Sequence, residues 1–431
     1  MKFKPMLRLI NSAILPLGLL MMLSSTAIAQ DNPVTPEELR AFTDALTRIK
    51  SKYVEPVGNK KLIDNAIAGM VSGLDPHSTY LSAQEYEELH ESASGKFAGL
   101  GFEVSMEKGL VKVISPIDDT PAQRAGILPG DLIVRINSTP VEGLSLTEAV
   151  KMMRGDPGTQ VLLTLVRKDI AAPLKLPLVR AIINIVSVKS RMLEKGYGYL
   201  RISSFQELTG QQVNTALAKL KKENNGKLKG LVLDLRNNPG GLLHAAVEVS
   251  DAFLKSGEIV SMNGRAGHES GTRFSASADD LIDDAALVVL INSGSASAAE
   301  IVAGALQDNK RAVIMGDPSF GKGSVQTVLT MSNGSALKLT TSRYYTPSGR
   351  SIQAEGIQPD IKLANVKLVS SGQTAEDTVK EADLSRHLEQ GHTDQNTAAV
   401  SADAAASSAK ASDYPLNEAL TLLKGLSIIR R

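Results

Sequence analysis

The chain has 431 residues, room for two or three domains, and its 47 basic and 46 acidic side chains leave a formal net charge of +1. That balance argues against a nucleic-acid binder, which would carry a basic excess or stripe. With no cysteine and no tryptophan, disulfides, thiolate catalysis and cysteine-type zinc sites are excluded, and stability rests on aliphatic packing.

Residues 1–29 read as a cleaved signal peptide: Lys2, Lys4 and Arg8 give a positive start, Ile10 to Leu23 is mostly apolar, and Ala27-Ile28-Ala29 offers small residues for cleavage. The apolar run is 14 residues, broken by Pro16 and Gly18, against the ~20 needed to span a bilayer. The expected location is the periplasm. Residues 30–95 form an N-terminal helical region, with Leu39, Phe42, Leu46 and Ile49 at helical spacing, then Leu62, Ile63, Ile67 and Met70. Asp75 to Leu81 is a turn within it.

From residue 96 to 180 short strands alternate with glycine turns. Gly99-Leu100-Gly101-Phe102 opens the run, Leu110 to Ile114 is a strand, and Leu128-Pro-Gly-Asp131 leads into another. Ser145 to Arg154 is an amphipathic helix and Val161 to Arg167 a closing strand. This order resembles a PDZ domain, whose carboxylate-binding loop the tetrapeptide matches. Such a loop aims consecutive backbone amides at one spot, a nest for a peptide's C-terminal carboxylate, while the peptide adds as a strand. The resemblance assigns that task to Gly99, Leu100, Gly101 and Phe102, and makes Arg167 a relay toward the rest of the chain.

Residues 181–366 alternate buried strands (Gly198 to Ile202, Gly230 to Leu235, Ala286 to Ile291, Ala312 to Met315) with helices from Gly210 to Asn224 and Ala298 to Gln307. Strand and helix in turn predict an α/β core with a mostly parallel sheet, whose active groups sit where strands end. Residues 367–412 are rich in Ala, Ser, Thr and Asp and read as a flexible linker. Residues 413–431 form a C-terminal helix with Leu416, Leu420, Leu423 and Leu426 on one face; too short to stand alone, it must dock, and self-association is the preferred reading.

Two glycine-rich segments carry the chemistry. Asn292 to Glu300 holds Ser297 among small residues, and Phe320 to Gln326 holds Lys322 between two glycines. A serine hydroxyl needs a base to become nucleophilic, and a buried lysine can be one if its pKa falls from ~10.4 toward neutrality. Of the six histidines, only His244, shortly after Asp234 to Gly241, could instead be the base; a helix-start role suits it better. Gly316 to Lys322 fits a nucleotide-binding loop, yet Gly323 stands where Ser or Thr should, and a strand follows where a helix must begin.

Asp75 to Leu81, the PDZ segment, Asp234 to Gly241, Gly294 to Ala298, Gly321 to Gln326, Tyr345 to Arg350 and Gly356 to Asp360 together resemble the carboxy-terminal processing proteases from about Pro36 to Arg431. The resemblance implies an α/β protease core with an inserted α+β PDZ domain and helical N- and C-terminal regions. It makes Ser297 the nucleophile, Lys322 its general base and Gln326 the residue that orients the lysine; if Gly323 to Gln326 is extended, residues 322, 324 and 326 share a face. Backbone amides of Ala298 and of a glycine, Gly240 in preference to Gly241, supply the oxyanion hole, while Ser295 and Glu300 shape loop and helix. No metal or cofactor is required. The expected partners are protein or peptide substrates with accessible C-termini, an adaptor lipoprotein and further copies of the chain, because Gram-negative relatives cut cell-wall hydrolases with such adaptors. The rival reading is a PDZ-bearing peptide-binding scaffold with a decayed catalytic site, which intact Ser297, Lys322 and Gln326 oppose.

Overall fold

A computed structural model describes residues 33–168, 170, 172–265, 271–277, 280–363, 380–384, 386–387 and 413–429. The expected signal peptide and most of the expected linker lie outside the described residues. The chain divides into two compact units, Met1–Asn65 and Ala66–Arg431.

In the first unit the helix Pro36–Lys52 starts with a capping box: Thr35 Oγ1 accepts from Glu38 N at 3.2 Å, and Thr35 N donates to Glu38 Oε2 at 2.7 Å. None of its residues is buried, and Leu39, Phe42 and Ile49 are exposed.

The second unit is built around a six-stranded sheet in the order Val188–Glu194, Tyr197–Ile202, Gly230–Asp234, Ala286–Ile291, Val313–Gly316, Ile361–Lys362. The first pairing is antiparallel and the other four are parallel. Both faces are covered, so its central strands read as unbroken apolar runs. Leu231, Leu233, Leu287, Val289 and Ile291 face a core shared with the helices Thr209–Glu223, Leu243–Asp251 and Ala298–Asp308. The alternate residues Val232, Val288 and Leu290 face Leu416, Ala419 and Leu423 of the helix Tyr414–Ile429. This corrects the self-association reading of the C-terminal helix: its apolar face is taken up by the sheet of its own chain, which would otherwise lie open.

A second sheet, antiparallel, was not legible in the sequence. Its order is Thr79–Leu81, Ala336–Tyr345, Glu258–Gly264, Thr272–Ser275, with Ser324–Thr330 also paired to Ala336–Tyr345. The turn Asp75 to Leu81 thus supplies a core strand rather than a piece of the helical region. Asp75, buried, accepts from His77 N at 2.8 Å and Ser78 N at 2.9 Å, and from Thr340 Oγ1 at 3.1 Å, which fixes that strand to the sheet.

The PDZ domain enters and leaves through one short ladder, Lys96–Gly99 against Ala181–Asn184. Between them lies its own sheet, Phe102–Glu107, Leu110–Pro116, Leu132–Ile136, Gln160–Val166, Leu174–Val179, with the helices Pro121–Arg124 and Leu146–Met153 over a separate core. Within the stretch read as linker, residues 381–383 form a short 3-10 turn in which Glu381 is fully buried. That part of the linker is therefore docked, because its carboxylate has partners on the protease core.

Candidate active site

Ser297 stands between the buried strand Ala286–Ile291 and the helix Ala298–Asp308, with φ 54° and ψ −115°. This is a left-handed conformation that a non-glycine residue adopts only when its surroundings enforce it. The enforcement is visible. Ser295 Oγ donates to Leu235 O at 2.8 Å, Ala296 N to Asn238 O at 2.9 Å and Phe320 N to Ser295 O at 3.0 Å. Ser295 therefore shapes the turn, as its sequence position suggested.

Glu300 does more than begin a helix. Its fully buried carboxylate accepts from Ser297 N at 2.7 Å, Ser319 Oγ at 2.5 Å, Gly321 N at 2.8 Å and Lys322 N at 2.9 Å. One side chain therefore ties the serine turn to the lysine turn. Burial pushes its pKa up to about 7, against the lowering effect of these four donors.

Lys322 lies on the turn before the strand Ser324–Thr330, and with Ser297 it lines a cavity of about 460 Å³. Its pKa is lowered to about 8, first by burial and then by the charge of Lys338, while Glu381, Glu300 and Asp75 pull the other way. Among the described residues its ammonium forms no ion pair. Tyr344, buried on the strand Ala336–Tyr345, donates its hydroxyl hydrogen bond to Lys322 O. Sequence reasoning missed Tyr344, since only the pairing of two hairpin strands brings it there.

Gln326 lines the same cavity but does not hold the lysine. Its Nε2 donates to Ser324 Oγ at 3.0 Å and Thr340 Oγ1 at 3.2 Å. Residues 322, 324 and 326 share a face as expected, all three lining the cavity; the register shift beside Gln326 places its extra residue, Thr341, on the partner strand.

On the opposite wall, Gly240 lies against the serine: a Cβ there would come within 2.8 Å of Ser297 Cβ and 3.0 Å of Ala298 N. Its own N–H, however, donates to Asn238 Oδ1 at 2.9 Å. The amides of Gly241 and Ala298 donate to no acceptor among the described residues. That reverses the sequence preference for Gly240 over Gly241 as a donor, because Asn238, in closing the turn, uses the first amide. His244 is not among the residues lining the cavity, and His77 is bonded to Glu381.

Leu242, Leu243, Ile301, Val325 and Val328 give the cavity apolar walls, closed on one side by Leu89, Ser92 and Ala93 of the helix Ala83–Ser94. Another face of that helix, Gln84, Glu87 and Glu88, borders a cavity with Leu146 and Val150 of the PDZ helix. Arg154, at the end of the PDZ helix, pairs with Glu91 and lies 5.5 Å from the Phe97 ring centroid. Arg167, expected to be the relay, instead bonds Asp131 Oδ1 and Oδ2 and Gly126 O, each at 2.7 Å, within the PDZ domain. No group of three His, Asp or Glu side chains among the described residues could hold a metal ion.

In the PDZ loop the amides of Leu100 and Gly101 are without acceptors among the described residues, and Gly101 has φ 85° with Thr120 side-chain atoms 2.3 Å from where a Cβ would sit. Only glycine fits there. The strand Phe102–Glu107 that follows is the outer edge of its sheet. Phe102 and Val104 are partly buried against the same core as Leu146 and Val150.

Three family models match this chain: peptidase family S41 over residues 196–363, a PDZ domain over 112–167, and the N-terminal domain of the activating protease CtpB over 21–85. A carboxy-terminal-processing protease of Bartonella bacilliformis is 45% identical over 407 residues, 94% of this chain and 93% of that protein. The carboxy-terminal processing protease CtpA of Bacillus subtilis is 36% identical over 320 residues, 74% of this chain and 67% of that protein. Among solved structures, a photosystem II D1 C-terminal processing protease is 32% identical, covering 77% of this chain and 88% of its own, with a TM-score of 0.44. The chain belongs to the carboxy-terminal processing proteases, serine-type peptidases of family S41 that carry a PDZ domain.

Proposed function

We propose that the chain is a periplasmic endopeptidase that captures protein C-termini in its PDZ groove and cleaves by a Ser/Lys mechanism. The observation that carries this reading is Lys322, whose pKa burial lowers to about 8 in the cavity that also holds Ser297. In acylation, Lys322 Nζ takes the Ser297 proton as Oγ bonds the substrate carbonyl carbon. The amides of Ala298 and Gly241 receive the oxyanion. The lysine then returns its proton to the leaving amine as the peptide bond breaks; in deacylation the Lys322 amine takes a proton from water as the oxygen bonds the acyl carbon, and gives it to Ser297 Oγ as the ester bond breaks. Gln326 acts at one remove, holding Ser324 and Thr340 around the lysine strand. Glu300 fixes the two turns against each other and takes no proton from Ser297.

The substrate tail binds the amides of Leu100 and Gly101 through its carboxylate and adds as a strand beside Phe102–Glu107. The apolar cavity walls favour unfolded or apolar chain segments, and cell-wall hydrolases or other envelope proteins delivered by an adaptor lipoprotein are the natural substrates. Self-association uses the exposed apolar residues of the helix Pro36–Lys52. The test is cleavage of a peptide with an apolar C-terminus by the wild type and by Ser297→Ala and Lys322→Ala. Both variants lose activity on this account; undiminished cleavage by either rejects it.

A further inference from the structure

Glu381 lies far along the chain from the catalytic segments, in the stretch whose composition reads as linker, yet it is fully buried. Its carboxylate is bonded to His77 Nε2 at 2.8 and 2.7 Å and accepts from Gln353 Nε2 at 2.9 Å. Burial pushes its pKa up, but the bonds from His77 and Gln353 outweigh this and leave it below the usual value, so the group is an anion. Both ends of the lysine turn depend on it. Its backbone N–H donates to Phe320 O at 3.3 Å. The Gln353 amide that it anchors accepts from Gly323 N at 2.9 Å through Oε1. Gly323 sits so close that a Cβ would be 2.7 Å from Gln353 N.

We infer that Glu381 is a positioning residue for the catalytic base: with Gln353 and His77 it clamps the two ends of the turn Phe320 to Gly323. The inference rests on the Ser/Lys reading above. Glu300 holds the inner amides of the turn, those of Gly321 and Lys322, and Glu381 holds its two ends. An uncompensated buried carboxylate would be costly, and here its partners are one histidine and one amide from separate parts of the chain. The clamp also carries charge toward the base. The groups acting on Lys322 are Lys338, which favours the free amine, and Glu381, Glu300 and Asp75, which favour the ammonium. His77 faces Glu381 rather than the cavity.

The experiment compares Glu381→Ala and Glu381→Gln with wild type, measuring kcat and KM on a fluorogenic peptide with an apolar C-terminus, the pH profile of kcat, and amide exchange at Gly323. Glu381→Ala should lower kcat about 10- to 100-fold with KM unchanged, the scale expected when a reacting group is misplaced by an ångström or less, and should speed exchange at Gly323. Glu381→Gln keeps an acceptor for Gln353 but withdraws the charge. It should retain more of kcat than the alanine variant and move the acid limb of the profile to lower pH. Wild-type kcat in both variants, or an unmoved acid limb in Glu381→Gln, overturns the inference; if Glu381→Ala does not fold, the glutamine variant decides alone. Lys322→Ala, measured in parallel, separates the two readings. Cleavage by Lys322→Ala rejects the Ser/Lys mechanism, whereas an inactive Lys322→Ala beside unaffected Glu381 variants rejects the clamp only.

Discussion

Replacing Lys338 by methionine should make the enzyme worse at neutral pH without touching either reacting group. Lys338 lines the catalytic cavity, and after burial its charge is the second cause of the depressed Lys322 pKa. A fall from 10.5 to about 8 raises the free amine at pH 7 roughly 300-fold and corresponds to about 3 kcal/mol between the two protonation states. Burial remains in Lys338→Met and the repulsion is lost, so the Lys322 pKa rises and a part of that 300-fold gain disappears. The assay is the pH profile of kcat/KM on a peptide substrate, which reports ionisations of the free enzyme. Wild type should show an acid limb near the Lys322 value of about 8, and the variant's limb should lie at higher pH, with the two rates converging on the alkaline side. A limb that stays in place or moves to lower pH would refute the argument.

The same depressed pKa predicts a cost in stability. A lysine whose folded-state pKa lies below its unfolded value destabilises the native state below about pH 8 and ceases to do so as pH rises toward 10.5. Lys322→Met should therefore be inactive but more stable than wild type at pH 7, by up to about 3 kcal/mol, with the difference vanishing in alkaline denaturation curves. Gly241→Ala should cost about 10²- to 10³-fold in kcat, the scale of one lost oxyanion donor, because its Cβ would fall 2.0 Å from Phe205 O; wild-type kcat would remove Gly241 from the site. Leu423→Ala, on the fully buried face of the C-terminal helix, should lower unfolding free energy by about 2–5 kcal/mol in urea titration, and an unchanged midpoint would contradict that helix's docking on its own sheet.

What could be read in the sequence was whatever is local. Ser297 and Lys322 stand in short segments whose small residues serve turn geometry, and the apolar runs of the parallel strands announce burial on both faces. The PDZ loop is a contiguous tetrapeptide with a glycine that only glycine can fill. What escaped depends on pairing across long separations. Tyr344 reaches the site because the strand Ala336–Tyr345 pairs with Ser324–Thr330, and Glu381 meets His77 304 residues away. Gln326 bonds Ser324 and Thr340 rather than Lys322, and one asparagine side chain, Asn238, occupies the amide of Gly240. Composition misjudged residues 381–383 because one buried carboxylate, rather than an apolar stripe, docks them. The C-terminal helix showed its apolar face in sequence but not which surface would cover it.

The central claim is that Ser297 becomes nucleophilic because Lys322 accepts its proton. The most direct measurement is labelling of the purified protein with a fluorophosphonate, followed by peptide mapping of the adduct by mass spectrometry across pH 6 to 10. A single phosphonylated residue, Ser297, labelled faster as pH rises through about 8 and unlabelled in Lys322→Ala, is the predicted result. Labelling at another serine, or undiminished labelling of Ser297 in Lys322→Ala, would contradict it.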